Sequence, residues 1–160
     1  MRVVSNTSPL SNLAIIGRLE FLPRRYGKVQ IPPAVAAELA ALSHAEGSRR
    51  IAAAMVEGWL QVAATPVVLP MPFPLDPGET EAIALACEMK AEVLLMDERK
   101  GRQAARQYGL VVAGVLAELV HAKHSGWIPC VREEIQRLRR EAGFFVDGAV
   151  EGFILSQVGE

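Results

Sequence analysis

Short apolar runs and longer amphipathic stretches alternate along the chain. The runs at 2–5, 28–31, 59–63, 92–96 and 110–113 are rich in β-branched and aliphatic residues and too short for helices, so they predict five strands. Between them the pattern is helical. Ser8 followed by Pro9 predicts a capped helix over 9–16, stopped at Gly17. Further helices are predicted over 18–25, 33–42 and 49–57, with the polar stretch 44–50 read as a turn. Residues 65–75 carry Pro66, Pro70, Pro72 and Pro74 and predict an extended crossover. Asp76 then opens a helix whose start, Asp-Pro-Gly-Glu, is a capping-box pattern. A basic helix over 98–107 follows the fourth run, then helices over 115–124 and 131–141 and a short last one over 147–157.

Strands alternating with helices imply right-handed crossovers and a parallel sheet covered on both faces. The length suits one domain, residues 1–160. Ligands of open α/β sheets sit beyond the carboxyl ends of the strands. The polar residues at those ends are therefore the candidates for chemistry.

Composition narrows the class. Apolar residues make up 51% of the chain, enough for a substantial core. The net charge of -1 excludes a uniformly basic nucleic-acid coat, so any such contact needs a local patch. Cys87 and Cys130 have neither finger spacing nor a CxxC pair and read as free thiols. With no signal-peptide pattern and no apolar run of membrane-spanning length, the expected location is the cytoplasm and no membrane partner is expected.

Four residues stand out. Asp97 directly follows the run Val93-Leu94-Leu95-Met96, and reads either as a site acid or as the cap of the next helix. Glu79 shares a helix stripe with Ala82, Ile83 and Ala86, which turns it toward the sheet even though it also fits the capping box. Glu38 lies within the stripe Val35, Leu39, Leu42, where an acid is costly unless paired or bound to a metal. Asn6 ends the first strand and reads as a turn residue or as a neutral oxygen ligand. This oxygen-only set suits Mg2+ or Mn2+, which activate water and neutralise charge on a phosphoryl group. Glu81 lies on a more mixed helix face and is kept as an alternative or supporting acid, with Glu98, Thr7 and Ser8 as further supporting groups. Arg99, Lys100, Arg102 and Arg106 follow Asp97 and form a candidate contact for a nucleic-acid backbone. His121 and His124 lack a third ligand and read as surface residues, and the charges at 131–141 as an exposed, paired helix.

Four stretches, VVSNTSPL, IPPAVAAEL, LDPGETEAIALA and VLLMDERKGR, occur in this order. Together they resemble the PIN-domain nucleases, in particular a VapC-like prokaryotic subgroup of toxins from toxin–antitoxin pairs and their relatives. The resemblance implies a three-layer α/β/α sandwich around a parallel five-stranded sheet, and RNA cleavage dependent on Mg2+ or Mn2+. It places the family's acidic positions on Asn6, Glu38, Glu79 and Asp97, the first of which is normally Asp. It also implies a small antitoxin protein as partner, and often a homodimer. Asn6 motivates a second reading, a catalytically impaired PIN-fold module that binds RNA or protein. A receiver-like phosphoacceptor fits poorly, because Lys100 lies on the helix immediately after Asp97.

Overall fold

In the computed structural model, which describes residues 1–160, five short strands form one parallel sheet. They are Val3–Ser5 (β1), Val29–Ile31 (β2), Leu60–Val62 (β3), Val93–Leu95 (β4) and Val112–Ala113 (β5), in the order β3-β2-β1-β4-β5. The helices are Thr7–Ile15 (α1), Phe21–Tyr26 (α2), Pro33–Ala40 (α3), Ala45–Glu57 (α4), Pro77–Met89 (α5), Arg99–Gln107 (α6), Val115–His124 (α7), Val131–Ala142 (α8) and Gly148–Gln157 (α9). No helix is long and apolar enough to cross a membrane.

Side chains alternate across the strands, as the pleat requires. Val4, Leu94 and Met96 pack with Ala82, Ile83 and Ala86 of α5 and Ala104 and Ala105 of α6. Val3, Leu95, Val29, Ile31 and Leu60 face the opposite layer, built by α1, α2, α4, α7 and α8. The central strand β1 is buried on both faces and β4 nearly so, which is why they read as continuous apolar runs, while the edge strands β3 and β5 are more exposed. This is the three-layer α/β/α sandwich expected from the chain.

Strand order decides where a site can form. The chain steps outward from β1 to β2 and β3, then returns through the proline-rich segment and α5 to β4, on the other side of β1. The carboxyl ends of β1 and β4 therefore form the topological switch point. Ser5 is in register with Leu95, and the Asn6 N–H donates to Leu95 O at 2.8 Å, carrying the ladder one residue past β1.

Local readings differ from the structure in several places. α1 begins at Thr7, so Asn6 and not Ser8 holds the N-cap position, without a side-chain capping bond. Pro9 is harmless there, since the first turn's N–H groups have no intrahelical partner. The stretch 44–50 is not a turn: it is the start of α4, where His44 Nδ1 accepts from the Gly47 N–H at 2.9 Å. Its polarity belongs to a solvent-facing side on which Glu46 pairs with Arg49 and Arg50. The helix expected over 18–25 is shorter, because the chain turns after Gly17, which lies at φ +72°. The helix at 131–141 is not wholly exposed. Glu134 is buried and paired with Arg18 at 2.7 Å. Of the two histidines only His124 is exposed, while half-buried His121 sits edge-on to Trp127.

The last helix is held from its far end. Glu160 accepts from the Val131 N–H at 2.7 Å and the Arg132 N–H at 3.1 Å, capping α8. Lys123 also pairs with it at 3.3 Å. Burial opposes ionisation of this carboxyl, but the backbone donors outweigh it and hold its pKa down at about 2, from 4.5. A depressed carboxyl stabilises the fold above its unfolded value and loses that contribution as pH falls through the folded one. Protection of the α9 amides, measured against their intrinsic exchange rates, should therefore fall between about pH 4.5 and pH 2. At neutral pH, Glu160→Ala should cost about 1 kcal/mol, as loss of a helix cap does.

Candidate active site

Asn6 and Asp97 lie side by side at the switch point, one residue beyond β1 and two beyond β4. Asn6 is buried. Its Nδ2 donates to Glu98 Oε2 at 3.1 Å, and the Ser8 hydroxyl donates to Glu98 Oε1. A carboxylate only accepts, so this bond fixes which end of the Asn6 amide faces Glu98. The other end, Oδ1, is buried with no partner. Asp97 divides its atoms in the same way. Its Oδ1 accepts from the Val115 N–H at 2.8 Å, and its Oδ2 is buried with no partner. Asp97 is thus a cap, but of α7, which follows the neighbouring strand β5, rather than of the helix that follows Asp97 itself.

Glu79 is 7% exposed and closes the capping box of α5. The Asp76 N–H donates to its Oε1 at 3.3 Å, and its own N–H donates to Asp76 Oδ1 at 2.7 Å. Its Oε2 makes no hydrogen bond and lies against Gly101 of α6. Glu38 is half-buried, at the edge of the stripe rather than within it, while Val35 and Leu39 take the core. The Thr7 hydroxyl donates to its Oε2, and its Oε1 lies against Gly78 of α5. Each of the four side chains therefore anchors one atom to the protein and leaves one oxygen without a bond.

Glu81 serves a different part. Its Oε1 accepts from the Ala34 N–H at 3.1 Å, so it caps α3 from α5. That bond holds the helix carrying Glu38 against the helix carrying Glu79.

Three glycines were not singled out by sequence reasoning, yet each seats an acid. A Cβ at Gly78 would stand 2.5 Å from Glu38 Oε1, at Gly101 2.7 Å from Glu79 Oε2, and at Gly114 2.5 Å from Asp97 Oδ1. Gly101 lies inside α6, where glycine costs about 1 kcal/mol relative to alanine. That cost was the available signal. Asn12 of α1 was also missed: it favours the ionised form of Asp97.

The electrostatics are strained. Burial pushes the Glu79 carboxyl up to about 7, with the Asp76 hydrogen bond opposing and the charges of Asp76 and Glu98 adding. Burial likewise pushes Asp97 up to about 6, against the Val115 N–H and with the Glu98 charge. A hard cation would relieve both, and unpartnered carboxylate and amide oxygens are its preferred donors. No three His, Cys, Asp or Glu side chains close around a single point. The set fits an ion such as Mg2+ that keeps several of its waters.

Asp97 also lines a cleft of about 490 Å3 with Arg99, Arg102 and Arg106 on one side and Val150 and Ile154 of α9 on the other. None of these arginines forms an ion pair; those of the chain lie elsewhere. Half-buried Arg102 has its pKa lowered by burial and then by Arg106, against the charge of Asp97. Lys100 is exposed and lies outside the cleft.

The switch point of a parallel α/β/α sandwich is where such sheets place their ligands, and here acids gather at it. The chain belongs to the PIN-domain family: the model of family DUF3368, described as a PIN domain, matches residues 2–160. PIN domains are generally nucleases that use divalent metal ions. Among solved structures the chain resembles a PilT N-terminus domain protein from the hyperthermophilic archaeon Sulfolobus solfataricus P2. The TM-score is 0.54 at 18% identity, over 76% of this chain and 93% of that one, a likeness of fold. No curated protein matches.

The raised carboxyls carry a consequence for stability. A group whose folded pKa lies above its unfolded value stabilises the fold at low pH and loses that contribution as pH rises through the folded value. In EDTA, stability should fall as pH rises from about 4 to about 7, the window spanned by Asp97 and Glu79. Asp97→Asn keeps the acceptor for Val115 and removes the buried charge. Thermal melts at pH 7.5 in EDTA should find it more stable than the natural protein by about 1–3 kcal/mol.

Proposed function

We propose that the protein is a metal-dependent ribonuclease, with Asn6, Glu38, Glu79 and Asp97 holding Mg2+ or Mn2+. One observation carries this reading. Four side chains from β1, α3, α5 and β4 each commit one atom to the protein and leave one oxygen free at the same sheet edge. A structural network would satisfy both ends of each group.

The chain's own residues then divide the work. Buried Glu79 and half-buried Asp97, whose Oδ2 is buried, supply negative charge, and half-buried Glu38 adds a third carboxylate. Thr7, Glu81 and the three glycines hold those carboxylates in place. When bound, the ion supplies water activation and neutralises charge on the phosphodiester. The unpaired guanidiniums of Arg99, Arg102 and Arg106 border Asp97 and suit an RNA backbone laid along the cleft.

Because the four sequence stretches resemble VapC-like proteins, we further propose that the protein acts as the toxin of a toxin–antitoxin pair. Its partner would be a small antitoxin protein. Induced expression should then arrest growth, and co-expression of the small protein encoded beside it should relieve the arrest.

The decisive assay is cleavage of RNA by purified protein with Mg2+ or Mn2+, followed on gels with and without EDTA. Asp97→Asn should reduce the rate by about 100-fold or more, since it removes a buried ligand charge. Intact RNA under all metals, with mutant and natural protein alike, would sink the nuclease reading. Arg102→Gln and Arg106→Gln should weaken RNA binding and each lower the slope of log K against log salt by about 1.

A further inference from the structure

We propose that Glu98 is a positioning residue that forms one unit with Asn6: the amide supplies the ligand oxygen, and Glu98 supplies the charge that an aspartate at position 6 would bring. This rests on the metal-dependent reading of the site.

The geometry is specific. Both carboxylate oxygens of Glu98 are already engaged within the protein: Oε1 accepts from Ser8 and Oε2 accepts from Asn6 at 3.1 Å. Asn6 has its amide nitrogen committed and its Oδ1 buried without a partner. A carboxylate behind the amide thus orients it and keeps its oxygen facing the site. An aspartate at position 6 would have no proton to offer Glu98. It would place two carboxylate oxygens at the 3.1 Å now spanned by a hydrogen bond, in a part-buried setting where like charges repel more strongly than in water. The surroundings of position 6 therefore call for an amide as long as Glu98 is present. The charge of Glu98 reaches both Glu79 and Asp97. The site retains a negative charge next to position 6, displaced by one side chain.

The pair is reversible on the same grounds. With aspartate at position 6 and glutamine at position 98, the glutamine amide nitrogen would donate to the aspartate, and its carbonyl oxygen would accept from Ser8. Every hydrogen bond and the net charge would be preserved, with donor and acceptor exchanged. Asn6 is then half of an exchanged pair, and its presence does not mark a decayed site.

A double-mutant cycle tests this with the whole chain: natural protein, Asn6→Asp, Glu98→Gln, and both together. Melting temperature in EDTA reads the pairing without an ion, and calorimetric titration with Mn2+ reads the site. Asn6→Asp alone should melt several degrees lower in EDTA. Glu98→Gln alone should bind Mn2+ at least about tenfold more weakly, because it removes a charge and frees the amide to rotate. The double variant should recover both, with the melting temperature within about a degree of the natural protein and Mn2+ affinity within about threefold. Additive losses, with the double variant no better than the worse single one, would overturn the pairing. If none of the four binds Mn2+ or cuts RNA, the nuclease reading fails. The coupling of the EDTA melting temperatures would still uphold or overturn the pair.

Discussion

A carboxylate oxygen buried without a cation sits high in free energy, and buried Glu79 and half-buried Asp97, with its Oδ2 buried, stand at the junction of β1 and β4. Much of the surrounding structure works to hold them there. Asp97 is tied to the start of α7, Glu79 to the start of its own helix, and Glu38 to the start of α1. The ties of Asp97 and Glu79 use backbone N–H groups at helix termini, where the helix dipole favours negative charge, and that of Glu38 uses the Thr7 hydroxyl. The acids are thus stabilised just enough to remain in place and not enough to be neutral partners in a closed network.

That balance links stability to function. Removing the charge of Asp97 would relieve the fold and, on the proposed reading, remove a ligand in the same step. Such opposition is the usual mark of a site whose residues are kept for what they bind rather than for what they stabilise. The neighbouring cleft follows the same logic. Arg102 is half-buried beside Arg106 and forms no ion pair, which on the proposed reading would leave its field to an incoming phosphate. One wall of that cleft is α9, which depends on a capping bond from Glu160 to α8. A contact far from the acids therefore shapes the path to them.

Much of this was legible in the chain. The five apolar runs and the crossovers between them determine a parallel sheet, because a strand buried on both faces needs continuous apolar sequence. Glu79 was readable from its helix stripe and Asp97 from its place after a strand. The misreadings were local in origin. The stretch 44–50 looks like a loop because its exposed face is polar, and a helix start needs only a capping atom, which His44 provides. Glu134 looked exposed because its partner, Arg18, lies 116 residues away.

The sequence by itself determined which residues could end at the sheet edge. Only the tertiary structure decided what each does there. Asn6 and Glu98 are 92 residues apart, and Asp97 meets the N–H of Val115 across a strand crossover. Gly78, Gly101 and Gly114 become meaningful only once each faces a carboxylate from another element. The reason is geometric. Helix and strand patterns are set by neighbours in sequence, whereas Asn6 meets Glu98 because β4 returns to lie beside β1, and Asp97 meets Val115 because β5 lies beside β4. Both adjacencies follow from strand order, which periodicity does not encode.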